Sequence, residues 1–494
     1  MLQYNILNQR LEALKAYKNL NPTHIESLKE AIETQEDLEL LRINPIQFGK
    51  LHAIPKSESI DLFVHAVKVG ILDFHYNLLC PFCGGIVHSY EALDNIQSEE
   101  FYCATCNLTA PTTLDDQVEV SFSPNSAIKK LNLNPHNSLE DYLSYNFSSN
   151  HVKAKPHIDL VLSLIKKFYV IEPDSQIELE LEPPKTNSFQ FCSIATNSSS
   201  FLHFTEDIAE EKQTLEINLL SNSVEPKQVQ LKQGKVLVTV KNLSKIKIGL
   251  ILITPNLEAI LETVKVYPPT KLEFLIGKML LNNQAFRELF RVQNLSESMK
   301  LNIKSLTIMF TDLKGSTEMY DRAGDILAYK LVQEHFDILT EVVKAHSGAI
   351  IKTMGDAIMA TFSNPLDGLL ASLDMLTKIE KMNQTWRPKG YEIGLKIGLH
   401  DGPALAVVND EKLDYFGQSV NIAARVQALA QSGEIWITEN IYSSSGVKEK
   451  LQAYSILHEQ HSVQLKGVGS STKVFKCYAN TDFLYDNTTS RSQS

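Results

Sequence analysis

The stretch Ser305-Leu306-Thr307-Ile308-Met309-Phe310-Thr311-Asp312-Leu313-Lys314-Gly315-Ser316-Thr317 decides the reading of this chain. It reads as an alternating strand that ends in an Asp and runs into a Gly/Ser/Thr turn. A carboxylate at a strand end, followed by free backbone N–H groups, suits a hard cation bridging to phosphates. Taken alone, such an Asp is more often a simple turn residue or helix cap. A helical segment follows at about 325–345. Next comes Ala349-Ile350-Ile351-Lys352-Thr353-Met354-Gly355-Asp356-Ala357-Ile358-Met359-Ala360-Thr361-Phe362, two apolar runs flanking a Gly, the pattern of a hairpin. The hairpin returns Asp356 toward Asp312, and two carboxylates together can hold two Mg²⁺ ions. A helix at 366–383 and a strand at 393–400 complete the series. Farther on, Asn421 and Arg425 stand four residues apart on a helix-like stretch and share one face. An amide and a guanidinium there can hold a ribose and a phosphoryl group; in isolation they would be a surface pair.

With Lys466-Gly467-Val468-Gly469, these stretches resemble the catalytic domain of the class III nucleotidyl cyclases, the adenylate and guanylate cyclases, over about 303–478. They occur in the family's order and with family-like spacing. The resemblance implies an α/β (α+β) fold, ferredoxin-like at its centre with the order βαββαβ. It also implies roles for individual residues. Asp312, Asp356 and the backbone carbonyl of Leu313 match the ligands of two Mg²⁺ or Mn²⁺ ions. Gly315, Ser316 and Thr317 match the turn that cradles the triphosphate. Lys352 and Asp414 match the base-reading pair. Asn421 matches the ribose-orienting residue, Arg425 the transition-state arginine, and Lys466 a lysine on the terminal phosphates. Family architecture implies a homodimer with sites built from both chains. One chain would supply Asp312 and Asp356, the other Lys352, Asp414, Asn421 and Arg425. All these positions are filled here, so no complementing partner is required.

Elementary chemistry selects the base. A Lys ammonium donates and an Asp carboxylate accepts. Adenine offers an acceptor ring nitrogen beside a donor amino group, and guanine offers the reverse. Lys352 with Asp414 therefore fits ATP and mismatches GTP. Cyclases resembling the guanylate enzymes carry Glu and Cys or similar residues here. The expected reaction is attack of the ribose 3′-oxygen on the α-phosphorus of ATP, giving 3′,5′-cyclic AMP and pyrophosphate. No general base is assigned. The alternatives are a guanylate cyclase, or a nucleotide-binding sensor with a degenerate cyclase domain.

The N-terminal half carries a second signature. Cys80-Pro81-Phe82-Cys83 and Cys103-Ala104-Thr105-Cys106 are separated by 19 residues. This spacing fits four thiolates around one structural Zn²⁺, with no open position for catalysis. A redox pair or metal-free thiols are the other readings. The region around these pairs, from Leu72 to Ile128, resembles the N-terminal region of some bacterial cyclases. The expected organisation is a helical segment at 1–70, a zinc-ribbon-like element at 71–125, and a mixed, then β-sandwich-like, regulatory region at 126–268. A connecting helix at 269–300, the cyclase domain at 301–480 and a disordered tail at 481–494 follow. Within the regulatory region, His157–Lys167 reads as helical, Asn197–Ser200 as a polar loop, and 201–268 as strands. The N-terminal half reads either as a regulatory module coupled through the connecting helix or as a packing or dimerisation scaffold.

The chain has 494 residues, 43% of them hydrophobic and 21% charged, which suits several globular domains. Its 47 basic and 58 acidic residues give a formal charge of −11, which disfavours nucleic acid as a partner. The start, Met1–Leu20, lacks the apolar core of a signal peptide, and no stretch approaches the ~20 apolar residues of a membrane span. The expectation is a cytoplasmic protein with no membrane span.

Overall fold

The computed structural model describes residues 2–96, 100–290, 301–314, 324–409, 412–469 and 471–479. The expected triphosphate turn at 315–317 and the tail at 481–494 lie outside the described residues.

Strand β1 (Leu301–Lys314) is the middle of the catalytic domain. Leu306, Ile308 and Phe310 enter one buried cluster, while Met309 and Leu313 enter another. The strand is thus apolar on both faces and must be covered twice. After it come α1 (Asp325–Ala345), β2 (Gly348–Met354), β3 (Ala357–Phe362), α2 (Pro365–Trp386) and β4 (Gly394–Asn409). Helix α2 starts where its sequence directs. Asn364 accepts the Asp367 N–H at 3.0 Å, and Pro365 occupies the first helical position. Next are β5 (Lys412–Phe416), α3 (Gln418–Gln427), β6 (Glu434–Thr438), β7 (Ile456–Val463) and β8 (Thr472–Ala479). The sheet order is β2-β3-β1-β4-β6-β8-β7, with β5 also paired to β4. β1 runs antiparallel to both β3 and β4. This is the expected βαββαβ core.

Helices α1 and α2 cover one face. Leu331, Leu339, Leu369 and Met375 pack on Met309, Ile358 and Ile397. The opposite face meets α3 and the N-terminal half. Leu275, Leu280, Leu281 and Phe286 share a cluster with Ile308, Phe310, Met359 and Tyr415. The same cluster extends to Leu7, Leu28 and Phe63 of the first helices. A single apolar core therefore joins the two halves.

The first helices are Tyr4–Lys15, Pro22–Thr34, Pro45–Leu51 and Lys56–Lys68. Asn21 and Asn44 cap the second and third of these, each directly before a proline. A three-stranded sheet follows, in the order Ile86–Tyr90, Leu72–Leu79, Val118–Pro124, beside a small pair, Glu100–Cys103 and Leu108–Pro111. A sandwich of a five-stranded and a four-stranded sheet encloses Phe191, Leu202, Val238 and Leu250.

Four local expectations need correction. The helical run at 157–167 is a helix, Lys155–Leu164, followed at once by strand Ile165–Ile171, so the sandwich starts earlier than 201. The polar loop at 197–200 is a turn only at Asn197, because Ser198–Ile208 is a strand. Its serines are satisfied by distant carbonyls, Ser199 by Ala104 at 2.9 Å and Ser200 by Pro226 at 2.7 Å. Residues 201–268 are not all strands. Helix Leu257–Val266 intervenes, capped by Asn256, which accepts the Ala259 N–H at 3.1 Å.

The connecting helix at 269–300 is not formed over its described part. Residues 270–290 give a two-residue strand, Thr270–Lys271, and two short helices, Gly277–Leu281 and Gln284–Leu289. The cause is tertiary. The Leu275 carbonyl accepts the Val120 N–H at 2.7 Å, which holds that residue outside any helix. Asn283 then starts a new helix by accepting the Phe286 N–H at 2.8 Å. Among the described residues no helix is long and apolar enough to cross a membrane.

Two histidines make the fold acid-sensitive. His335 on α1 and His400 on β4 are buried, and burial pulls both down to about 4. Unfolded, each would titrate near about 6.5. Between these values the unfolded chain binds more protons than the folded one, so stability falls as pH drops from about 6.5 to about 4. Each histidine adds up to about 1.4 kcal/mol per pH unit to that slope. Urea unfolding of the His335→Met variant across this window should show a shallower slope than the parent; an unchanged slope would contradict the assignment.

Candidate active site

The β2–β3 hairpin turns through Gly355 and Asp356, with Met354 paired to Ala357 and Gly355 at φ +67°. The β1–β3 pairs run from Thr307–Phe362 to Phe310–Met359. Beyond them the Ile358 N–H donates to the Thr311 hydroxyl at 3.3 Å, which brings the chain next to Asp312 beside the chain next to Asp356. One oxygen of Asp356, Oδ2, is buried and has no hydrogen-bond partner among the described residues. A carboxylate oxygen left bare in this way is costly unless a cation meets it. Asp312 Oδ2 is met by Lys396, its register partner on β4. Leu313 lies in the same ladder opposite Leu395. The donor set is therefore hard oxygen throughout, which fits Mg²⁺ or Mn²⁺.

Lys352 and Asp414 meet directly. Lys352 Nζ donates to Asp414 Oδ2 at 2.7 Å, although the residues are 62 apart in sequence. The Tyr415 N–H donates to the other oxygen, Oδ1, at 2.8 Å. The carboxylate is largely shielded and the ammonium half-exposed. The pair presents a donor and an acceptor side by side, with two ammonium protons still free to be used. Tyr415 itself is buried, and burial pushes its hydroxyl up to about 12.

Asn421 and Arg425 lie one turn apart on α3, with Asn421 exposed. The Arg425 guanidinium lies over Gly467, where a Cβ would come within 3.4 Å of Nη1. The loop carrying exposed Lys466 is thereby brought to Arg425. Predicted positions 315–317 are outside the described residues.

The family model described as the adenylate and guanylate cyclase catalytic domain matches residues 299–479. A second model, described as a family of unknown function (DUF5939), matches residues 7–288, more than half of the chain. The chain belongs to the DUF5939 family and carries a C-terminal nucleotidyl cyclase domain.

The cyclase domain has curated relatives. An adenylate cyclase of Anabaena cylindrica is 28% identical over 189 residues, covering 36% of this chain and 37% of that protein. The serine/threonine-protein kinase pkn2 of Myxococcus xanthus is 28% identical over 138 residues, covering 28% of this chain and 16% of that protein. The chain thus spans well under two thirds of either relative. Among solved structures, the adenylyl cyclase CyaB from P. aeruginosa is 19% identical, with a TM-score of 0.33, covering 37% of this chain and 97% of that one.

In the DUF5939 region the four cysteines converge. Cys80 and Cys106 have their Sγ atoms 3.9 Å apart, Cys83 and Cys103 3.8 Å, and all four lie within 4.8 Å of one another. A tetrahedron with metal–sulfur bonds of about 2.3 Å has edges of about 3.8 Å, so the cluster has the dimensions to hold a metal. Cys192 and Cys477 are buried, and burial pushes their thiols up to about 11 and about 12, as inert packing residues.

Sequence reasoning missed Lys396. The available signal was a lone cation between Leu395 and Ile397 in the apolar start of the strand. It also missed the polar contacts made to the cyclase sheet by residues 282–287, for which no local pattern exists.

Helix α3 sits where β4 lets it approach. A Cβ at Gly398 would lie 2.2 Å from the backbone nitrogen of Gln427. Gly398→Ala should therefore displace the helix that carries Asn421 and Arg425 and cost about 1–3 kcal/mol. Urea unfolding measures the loss; a midpoint equal to the parent's would show that the backbones are not in contact.

Proposed function

We propose that the chain is an adenylate cyclase that converts ATP to 3′,5′-cyclic AMP and pyrophosphate at sites shared between two chains of a homodimer. The observation that carries this reading is the direct Lys352–Asp414 pair, with Asp414 fixed by the Tyr415 N–H. Lys352 donates to the adenine ring nitrogen, and Asp414 accepts from the amino group. Guanine would face each of them with a like partner, donor against donor and acceptor against acceptor. The curated adenylate cyclase relative supports the same choice.

Asp312 and Asp356, with the Leu313 carbonyl, would hold two Mg²⁺ or Mn²⁺ ions. Bound there, the ions would acidify the 3′-hydroxyl and screen the phosphates. Asn421 orients the ribose for in-line attack. Arg425 meets the charge that develops on the α-phosphoryl group. Gly315, Ser316 and Thr317 cradle the triphosphate through their N–H groups, and Lys466 steadies its far end. Lys396 pairs with Asp312 and offsets its charge.

Purified full-length protein, given ATP or GTP with Mg²⁺ or Mn²⁺, should form cyclic AMP faster than cyclic GMP. Faster turnover of GTP would overturn the base reading. Asp312→Ala and Arg425→Ala should each lower turnover by about 100-fold or more. Specific activity should fall on dilution as the shared sites separate.

The cysteine cluster is proposed to bind one structural Zn²⁺ through Cys80, Cys83, Cys103 and Cys106. Elemental analysis should find one zinc per chain. Cys83→Ala should lose it and lower the melting temperature, because metal-binding energy is folding energy in such an element. A full zinc complement in that variant would refute the assignment.

A further inference from the structure

The short helix Gln284–Leu289 belongs to the DUF5939 region, yet it touches both strands that carry the base-reading pair. Gln284 Oε1 accepts the N–H of Ile350 on β2 at 2.9 Å. The β2–β3 pairing slips there: Ile350 faces Ala360 and Lys352 faces Met359, so Ile351 is a bulge. A bulge re-aims the side chain beside it, and the side chain beside this one is Lys352. Arg287, one turn along the same helix, donates to the carbonyl of Leu413 on β5, the residue before Asp414. A third contact comes just before the helix. Fully buried Asn282 accepts from the Thr361 hydroxyl and, at 3.4 Å, from the Tyr415 hydroxyl.

These are costly contacts to place by chance. The Arg287 guanidinium is buried deeply enough to disfavour its charge, with Tyr415 and Asp414 partly offsetting that cost. Its hydrogen bonds go to two carbonyls, of Leu281 and Leu413, rather than to a carboxylate. A guanidinium used in this way fixes backbone geometry. The helix is anchored in turn to the first helices, since Asn283 donates to Asp61 at 2.6 Å.

We infer that Gln284 and Arg287 are positioning residues for base recognition, Gln284 setting the aim of Lys352 and Arg287 that of Asp414, so that the DUF5939 region governs nucleotide selectivity. The inference rests on the reading of Lys352 and Asp414 as the base-reading pair. Because these residues act far from the reacting phosphorus, their loss should weaken binding of the correct base more than it slows chemistry.

The test uses the full chain and measures kcat and KM for ATP and GTP, together with equilibrium binding of both nucleotides. Gln284→Ala and Arg287→Leu should each lower the ATP-over-GTP ratio of kcat/KM by about ten-fold, mainly by raising KM for ATP. Arg287→Lys keeps a donor and should retain part of the ratio. Asp115→Asn serves as the control. Asp115 binds Lys278 at 3.0 Å and the Lys304 N–H at 2.6 Å across the same junction, away from both base-reading strands. Its ratio should match the parent's. Equal losses for ATP and GTP in the Gln284 and Arg287 variants would overturn the inference, as would the same fall in ratio for Asp115→Asn. A parent that prefers ATP while both variants keep its ratio would overturn the inference alone. A parent without preference for ATP in turnover or binding would overturn the base reading, and the inference with it.

Discussion

The catalytic sheet is apolar on both faces, and the rest of the molecule follows from the need to cover it twice. Along β1, Leu306, Ile308 and Phe310 enter one buried cluster and Met309 and Leu313 another. Helices α1 and α2 satisfy one face from within the domain. The other face is closed by α3 and by residues 275–290, which the DUF5939 region supplies. Burial at about 25 cal/mol per Å² of apolar surface makes such cover worth several kcal/mol for a few large side chains. The two family regions thus share one core, in contrast to domains joined by a linker.

The shared core explains why polar contacts can pass between the regions. Asn282 is fully buried in it, and Gln284 and Arg287 lie half-buried at its edge, where hydrogen bonds within the protein stand in for water. Their partners lie on β2 and β5, which carry Lys352 and Asp414, and on β3, which pairs with β2. Charge is arranged on the same scale. The chain is acidic overall, at −11, yet Lys352, Lys396, Arg425 and Lys466 supply cations at the residues read as the site. An anionic substrate would be met by this local field, since the average field of the chain repels it.

Legibility in the sequence followed locality. The catalytic core was readable because β1, α2 and the β2–β3 hairpin are each specified by near neighbours. Alternation, a capping Asn and a Gly turn act over a few residues. Helix α1 formed at Asp325–Ala345, where its pattern placed it. The stripe of Leu272, Leu275, Ile276, Met279 and Leu280 failed as a guide. Its spacing fits a helix, but strand Val118–Pro124 competes for the Leu275 backbone and wins. The run of serines at 198–200 failed for a related reason. Polar side chains read as loop unless something distant satisfies them, and here the carbonyls of Ala104 and Pro226 do.

By itself the sequence determined which chemical groups the molecule owns and the order in which its local elements form. Two Asp residues near strand ends, an Asn and an Arg one turn apart, and two Cys pairs were visible as spacing, while Lys352 and Asp414 were singled out by the family resemblance. The tertiary structure decided which groups meet. Lys396 finds Asp312 through strand register, Arg287 reaches a carbonyl 126 residues away, and Gln284 reaches a bulge 66 residues away. Local patterns carry no information on such contacts, because they arise only when packing of the apolar faces brings remote backbone together and expels the water that would otherwise satisfy it.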